Sequence, residues 1–139
     1  MTTRETAGTT TGPAAGAAEN PVTISYGELD GARIAVVSLN RPRALNGLTM
    51  AMLRGLDDAA RTLRRDRDLR GVILAGAGDS FCAGLDFGSV LKKPLDIAVA
   101  FTPNPFARDG ANLFQRVCWE WRRLPVPVIA VVHGHCQGG

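Results

Sequence analysis

The chain has 139 residues, 45% of them hydrophobic, and a formal net charge of +3, which is the size and composition of one globular domain. So small a charge gives no argument for a nucleic acid or a membrane surface as partner, and no apolar window reaches the length of a membrane span. The N-terminus lacks a charged-then-apolar signal pattern, and Cys82, Cys118 and Cys136 are dispersed and odd in number, which reads as reduced thiols in a cytoplasmic protein.

Residues 1–20 are Thr, Ala and Gly with almost nothing to bury, the composition of a disordered leader. The domain is expected over 21–139. Two β-type runs, "VTISYGEL" and "ARIAVVSL", are joined by Asp30-Gly31, a hairpin turn signal. "NRPRALNGL" is a loop, broken by Pro42 and Asn46-Gly47. Thr49 caps a helix expected to run to about Arg65, with Leu53, Leu56, Ala60 and Leu63 on one face. "GVILAG" is a short apolar strand. Residues 87–109 contain three prolines and read as a long loop with a helical piece. "ANLFQRVCWEWRRL" fits a further helix, and "VPVIAVVHG", which does not alternate, fits a strand covered on both faces. Hairpin, helix, strand, helix, strand implies parallel crossovers, hence an α/β fold. A glycine pair after the last strand ordinarily opens a helix, so the sequence reads as the N-terminal part of a longer domain.

Two stretches are suited to chemistry. "GAGDSFCAGLD", residues 76–86, and "HGHCQGG", residues 133–139, each follow an apolar strand and are rich in small residues. Ligand sites in open α/β folds gather at such strand ends, and small residues let a ligand approach the backbone. One N–H from each stretch, converging on one carbonyl oxygen, makes an oxyanion hole. On the local pattern alone, ordinary turn glycines are the alternative.

"SLNRPRALNGLT", "GDSFCAGLDF" and "PVPVIAVVHGHCQGG", in this order and spacing, resemble the crotonase superfamily of enoyl-CoA hydratases and isomerases. The resemblance covers about Val22 to Gly139. It implies a crotonase-like ββα spiral fold, truncated after the strand that leads to the glycine-rich helix start. It implies an acyl-CoA thioester as substrate, with coenzyme A as part of that substrate, no separate cofactor and no metal. The activity is that of an acyl-CoA enzyme of fatty acid metabolism, a lyase or isomerase. A thioester enolate is stabilised by the backbone N–H groups of Leu85 and Gly139, the latter beside Gly138. Coenzyme A passes Arg43, Ala44 and Leu45, and is gripped near Ala83, Gly84, Leu85 and Asp86; Arg41 and Arg43 are candidates for its phosphates, with plain solvation of an exposed loop arginine the commoner alternative. The whole protein would assemble as a homotrimer or hexamer. Hydration, isomerisation, decarboxylation and hydrolysis stay open, because the acid/base carboxylates of the resembled enzymes lie beyond Gly139. The chain by itself is therefore expected to be inactive. A nucleotide-binding module of another α/β type, or a non-catalytic interaction module, remains the alternative.

Other residues carry plainer readings. His133, His135 and Cys136 make a tempting cluster, but a metal needs three or four converging ligands and Cys136 points away from the shared strand face. Cys82 reads as a small buried thiol, with no base identifiable beside it. Asp86 reads as a loop-stabilising carboxylate and Asp79 as a turn residue. "RTLRRDRDLR" reads as a solvated helix end. Trp119 and Trp121 cannot share a helix face, so one belongs to the core and the other to a subunit contact or the acyl pocket.

Overall fold

The computed structural model describes residues 20–103 and 110–138. The leader, apart from its last residue, and Gly139 lie outside the described residues.

β1 (Val22–Leu29) and β2 (Ala32–Leu39) pair antiparallel, in register from Val22↔Leu39 to Leu29↔Ala32. Asp30 at φ 50 and Gly31 at φ 77 make the two-residue turn. Positive φ at both centres matches the twist of the flanking strands, and Asp-Gly adopts it at little cost. Along β2, Ala35, Val37 and Leu39 are buried, because alternate residues of a strand share a face.

α1 (Met50–Leu63) starts where Thr49 is extended and its hydroxyl accepts from the Met52 N–H at 3.2 Å. Such a cap contributes about 1 kcal/mol. Leu53, Leu56, Ala60 and Leu63 are all buried. Leu53, Leu56 and Leu63 share the core cluster with Ala35, Val37 and Leu39 of β2. Each fully buried leucine contributes about 2 kcal/mol.

β3 (Leu69–Gly76) lies parallel to β2, and β4 (Val128–Val131) parallel to β3, giving the sheet order β1-β2-β3-β4. The stretch between them holds α2 (Phe87–Val90), α3 (Pro94–Phe101) and α4 (Leu113–Arg122). α4 opens on a reciprocal cap in which Asn112 and Gln115 each accept the other's backbone N–H at 3.0 Å. The Phe101 and Phe114 rings, 4.7 Å apart, tie α3 to α4. Trp121 packs against the core, whereas Trp119 is 50% exposed beneath the Arg122 guanidinium.

Two readings change. "VPVIAVVHG" was expected as a strand covered on both faces. The strand is four residues long, and Ile129 is 61% and Val131 48% exposed. β4 is the outer strand of the sheet; among the described residues only β3 pairs with it, and of its four residues Val128 packs against the core while the other three are exposed. The basic run after α1 is not simply solvated either. Arg64 bonds the buried Glu120 at 2.9 Å. Asp57 of α1, only 2% exposed, is gripped by Arg116 of α4 at 3.0 and 3.4 Å and approached by Arg61 at 3.9 Å. The α1–α4 contact is thus closed by two buried carboxylates, one from each helix. No described helix is long and apolar enough to cross a membrane.

Candidate functional site

Because β2, β3 and β4 are parallel, their C-terminal ends lie along one edge of the sheet, where ligand sites of such folds collect. Three loops leave that edge: 41–48, 77–86 and 132–138. Main-chain hydrogen bonds continue the ladder through them. Ala83 donates to Leu45 O at 2.9 Å, Leu48 to Gly84 O at 2.7 Å and Asp86 to Leu48 O at 3.0 Å. On the other side Phe81 donates to His133 O at 2.8 Å, Cys82 to His135 O at 2.9 Å and Gln137 to Cys82 O at 2.9 Å. The middle loop is therefore held from both flanks.

Asn46 fixes the first loop to the middle one. It is fully buried, and its Nδ2 donates to Ala77 O at 2.9 Å and Ser80 O at 2.7 Å. Its Oδ1 accepts the Arg41 N–H at 2.8 Å. Leu45 and Asn46 are both left-handed, at φ 48 and φ 54; asparagine tolerates this conformation better than most residues. The sequence marked Asn46 only as a turn residue. Its role rests on acceptors 31 and 34 positions away, which no local pattern reveals.

Arg41 and Asp86 form the second tie, at 3.1 Å. Arg41 also donates to Gly47 O, so this arginine is engaged within the loops, whereas Arg43 and Ala44 on the 3-10 turn Pro42–Ala44, and Leu45 that caps it, are exposed. Asp86 caps α2, accepting from the Ser89 N–H at 3.0 Å. That N–H, and then the Arg41 guanidinium, hold its carboxyl below the usual carboxylate range against an opposing desolvation.

The middle loop leaves one donor over. Between Phe81 and Phe87 every other N–H is paired, Gly84 with the Cys82 sulfur at 3.4 Å and Phe87 with Leu85 O at 3.0 Å. The Leu85 N–H has no acceptor among the described residues. Leu85 as a residue is half-buried, and backbone N–H groups withdrawn from water are nearly always paired. Beside it, Gly84 sits at φ 84, and a Cβ there would collide with the Gln137 carbonyl oxygen. The middle and third loops thus touch one residue before Leu85 and one before Gly138, which is exposed at φ 59. Ala83, Gly84, Leu85, Asp86 and Gly138 are brought to one edge; Gly139 lies outside the described residues.

The histidines do not converge. His133 Nε2 lies 2.9 Å from Gly78 O and His135 Nδ1 3.1 Å from Ser80 Oγ. No group of three or more His, Cys, Asp or Glu side chains suited to a metal occurs among the described residues. A recess of about 500 Å³ between α1, α3 and α4 lies apart from the loops, and its buried Asp57 is paired with the partly buried Arg116.

Residues 30–139 match the enoyl-CoA hydratase/isomerase family, and the chain belongs to that family, with its crotonase-like α/β fold. It is 33% identical over 107 residues to the mitochondrial Delta(3,5)-Delta(2,4)-dienoyl-CoA isomerase of Rattus norvegicus, an alignment covering 74% of this chain and 32% of that protein. It is 36% identical over 106 residues to enoyl-CoA hydratase EchA19 of Mycobacterium tuberculosis, covering 75% and 37%. Among solved structures, an enoyl-CoA hydratase of Mycobacterium smegmatis superposes with a TM-score of 0.56 at 35% identity, covering 80% of this chain and 40% of that one. An enoyl-CoA hydratase/isomerase of Mycobacterium paratuberculosis gives 0.63 at 27% identity, covering 83% and 42%. The chain thus spans well under half the length of these relatives.

Proposed function

We propose that the three loops bind an acyl-CoA thioester and that the Leu85 N–H donates to its carbonyl oxygen, with the Gly139 N–H as second donor. The observation that carries this reading is the unpaired Leu85 N–H, standing in a run of otherwise paired amides at the strand ends of a family domain. As the α-carbon of the acyl group gains or loses a bond, electron density moves onto the thioester oxygen. Fixed donors aimed at that oxygen stabilise the charge without reorganising. They act most on the enolate-like state, so they raise the rate more than the affinity.

The ties around Leu85 serve orientation. Asn46 holds the loop base, and Asp86, held by Ser89 and Arg41, fixes the residue that follows the donor. Asp86 is thereby committed to structure, which leaves it outside the acid/base role. The exposed turn Arg43–Leu45 and the backbone of Ala83 form the side along which the coenzyme A moiety lies. The proposal covers substrate class and oxyanion stabilisation, with hydration, isomerisation, decarboxylation and hydrolysis as its possible outcomes in the whole protein.

The test is titration of the 15N-labelled chain with crotonyl-CoA and, separately, with free coenzyme A. The expected result is a downfield shift of the Leu85 amide with the thioester and a smaller one with coenzyme A. Saturable binding that leaves the Leu85 resonance unmoved would refute the donor assignment. Absence of binding by a folded chain would refute the ligand class.

A further inference from the structure

We propose that Cys82 and Cys136 form a dithiol site, which a low-molecular-weight disulfide oxidises to a reversible cross-link between the second and third loops. The two residues are direct partners in a parallel bridge. The bridge is closed by Cys82 N–H to His135 O and Gln137 N–H to Cys82 O, both at 2.9 Å. Opposed residues of neighbouring strands lie about 4.8 Å apart, inside the span of about 4.4–6.8 Å between the α-carbons of a disulfide. Both thiols are free.

Their environments differ in a way that orders the steps. Cys136 is exposed, whereas Cys82 is 5% exposed. The Cys136 thiolate attacks one sulfur of the small disulfide, forming a mixed disulfide and releasing one thiolate, which takes up the Cys136 proton. The Cys82 thiolate then attacks the Cys136 sulfur of that mixed disulfide and expels the second small thiolate, which takes up the Cys82 proton. Two protein thiols are oxidised and one small disulfide is reduced to two thiols. Cys82 needs to reach only its bridge partner, not solvent, so its burial protects it from direct oxidation and leaves the second step open.

The cross-link acts on the site geometry. The Cys82 sulfur accepts from the Gly84 N–H at 3.4 Å. Turning it toward Cys136 releases that N–H, one residue before Leu85. The proposal stands on the bridge itself and is independent of the acyl-CoA reading.

Trypsin separates the three cysteines, because residues 71–92, 117–122 and 124–139 are distinct peptides carrying Cys82, Cys118 and Cys136 respectively. The chain is incubated with oxidised glutathione, alkylated, digested and analysed by mass spectrometry. The expected product links peptide 71–92 to peptide 124–139, with Cys118 alkylated or glutathionylated and never joined to either. Glutathione should reverse the link. Cys118→Ser should leave it unchanged. Cys136→Ser, at an exposed position that leaves the core intact, should abolish it and keep Cys82 alkylatable only after unfolding. A persistent mixed disulfide at Cys136 that never passes to Cys82 would overturn the proposal, as would links to Cys118 in equal yield, or no reaction.

Discussion

Replacing Asn46 by alanine removes three hydrogen bonds at once from a fully buried side chain. Two carbonyls, of Ala77 and Ser80, lose their donor, and the Arg41 N–H loses its acceptor. At about 1 kcal/mol net for each bond the loss is about 3 kcal/mol. Alanine must also sit at the φ of 54 that asparagine tolerates, which adds about 1 kcal/mol. A total of about 4 kcal/mol is a large share of the stability of a small domain. With a urea slope of about 1.5 kcal/mol per molar, the midpoint should fall by about 2.5 M. The assay is equilibrium urea unfolding followed by far-UV circular dichroism and tryptophan fluorescence. Asn46→Gly loses the same bonds but adopts the positive φ freely, so it should lie above the alanine variant. An Asn46→Ala protein within about 0.5 kcal/mol of the parent, or a glycine variant less stable than it, would refute the view that this side chain ties the loops together.

Asp57→Ala should cost about 2 kcal/mol, because it leaves the partly buried Arg116 guanidinium without its partner; the Asp57→Ala, Arg116→Ala pair should lose less than the two single losses summed, read from a double-mutant cycle in urea. Asp86 is held below the ordinary carboxylate range when folded, so its contribution is fully present above its unfolded pKa of about 3.9 and is lost as the pH falls through the lower folded value. Thermal midpoints measured between pH 6 and pH 3 should therefore show the gap between parent and Asp86→Asn narrowing at the acid end. In a whole protein that carries this domain, Leu85→Pro should reduce turnover about a hundredfold or more while Leu85→Ala stays mild, since alanine keeps the N–H; steady-state kinetics with normal coenzyme A affinity as control decides it.

Local chemistry wrote much of this fold legibly. Asp30-Gly31 announces the hairpin, Thr49 opens α1, and the spacing of Leu53, Leu56 and Leu63 shows its buried side. The resemblance of three short stretches identified the family and named the loops. What stayed hidden depends on partners far along the chain. Asp57 and Glu120 look like surface carboxylates until α4 lies on α1 and brings Arg116 and Arg64 within reach. Asn46 looks like a turn residue until strand β3 delivers the carbonyls of Ala77 and Ser80. The apolar run through Ile129 looks like a doubly covered strand, since hydrophobicity records what a segment is suited to pack against and not what lies on it among the described residues. Leu85 gave no chemical signal at all, because its proposed contribution is a main-chain group common to nearly every residue.

That last point reaches into how such a domain can drift over generations. On the proposed reading the donor at position 85 belongs to the backbone, so inheritance has no catalytic side chain to preserve there. The constraint moves to the neighbours that give the chain its shape. At Gly84 a single added methyl would strike the Gln137 carbonyl oxygen, and at Gly134, φ 56, it would strike that of Asp79. Under the proposed reading, a lineage could exchange Leu85 for another apolar residue that packs on the core and keep the donor, yet lose its aim through one extra carbon at Gly84 or Gly134.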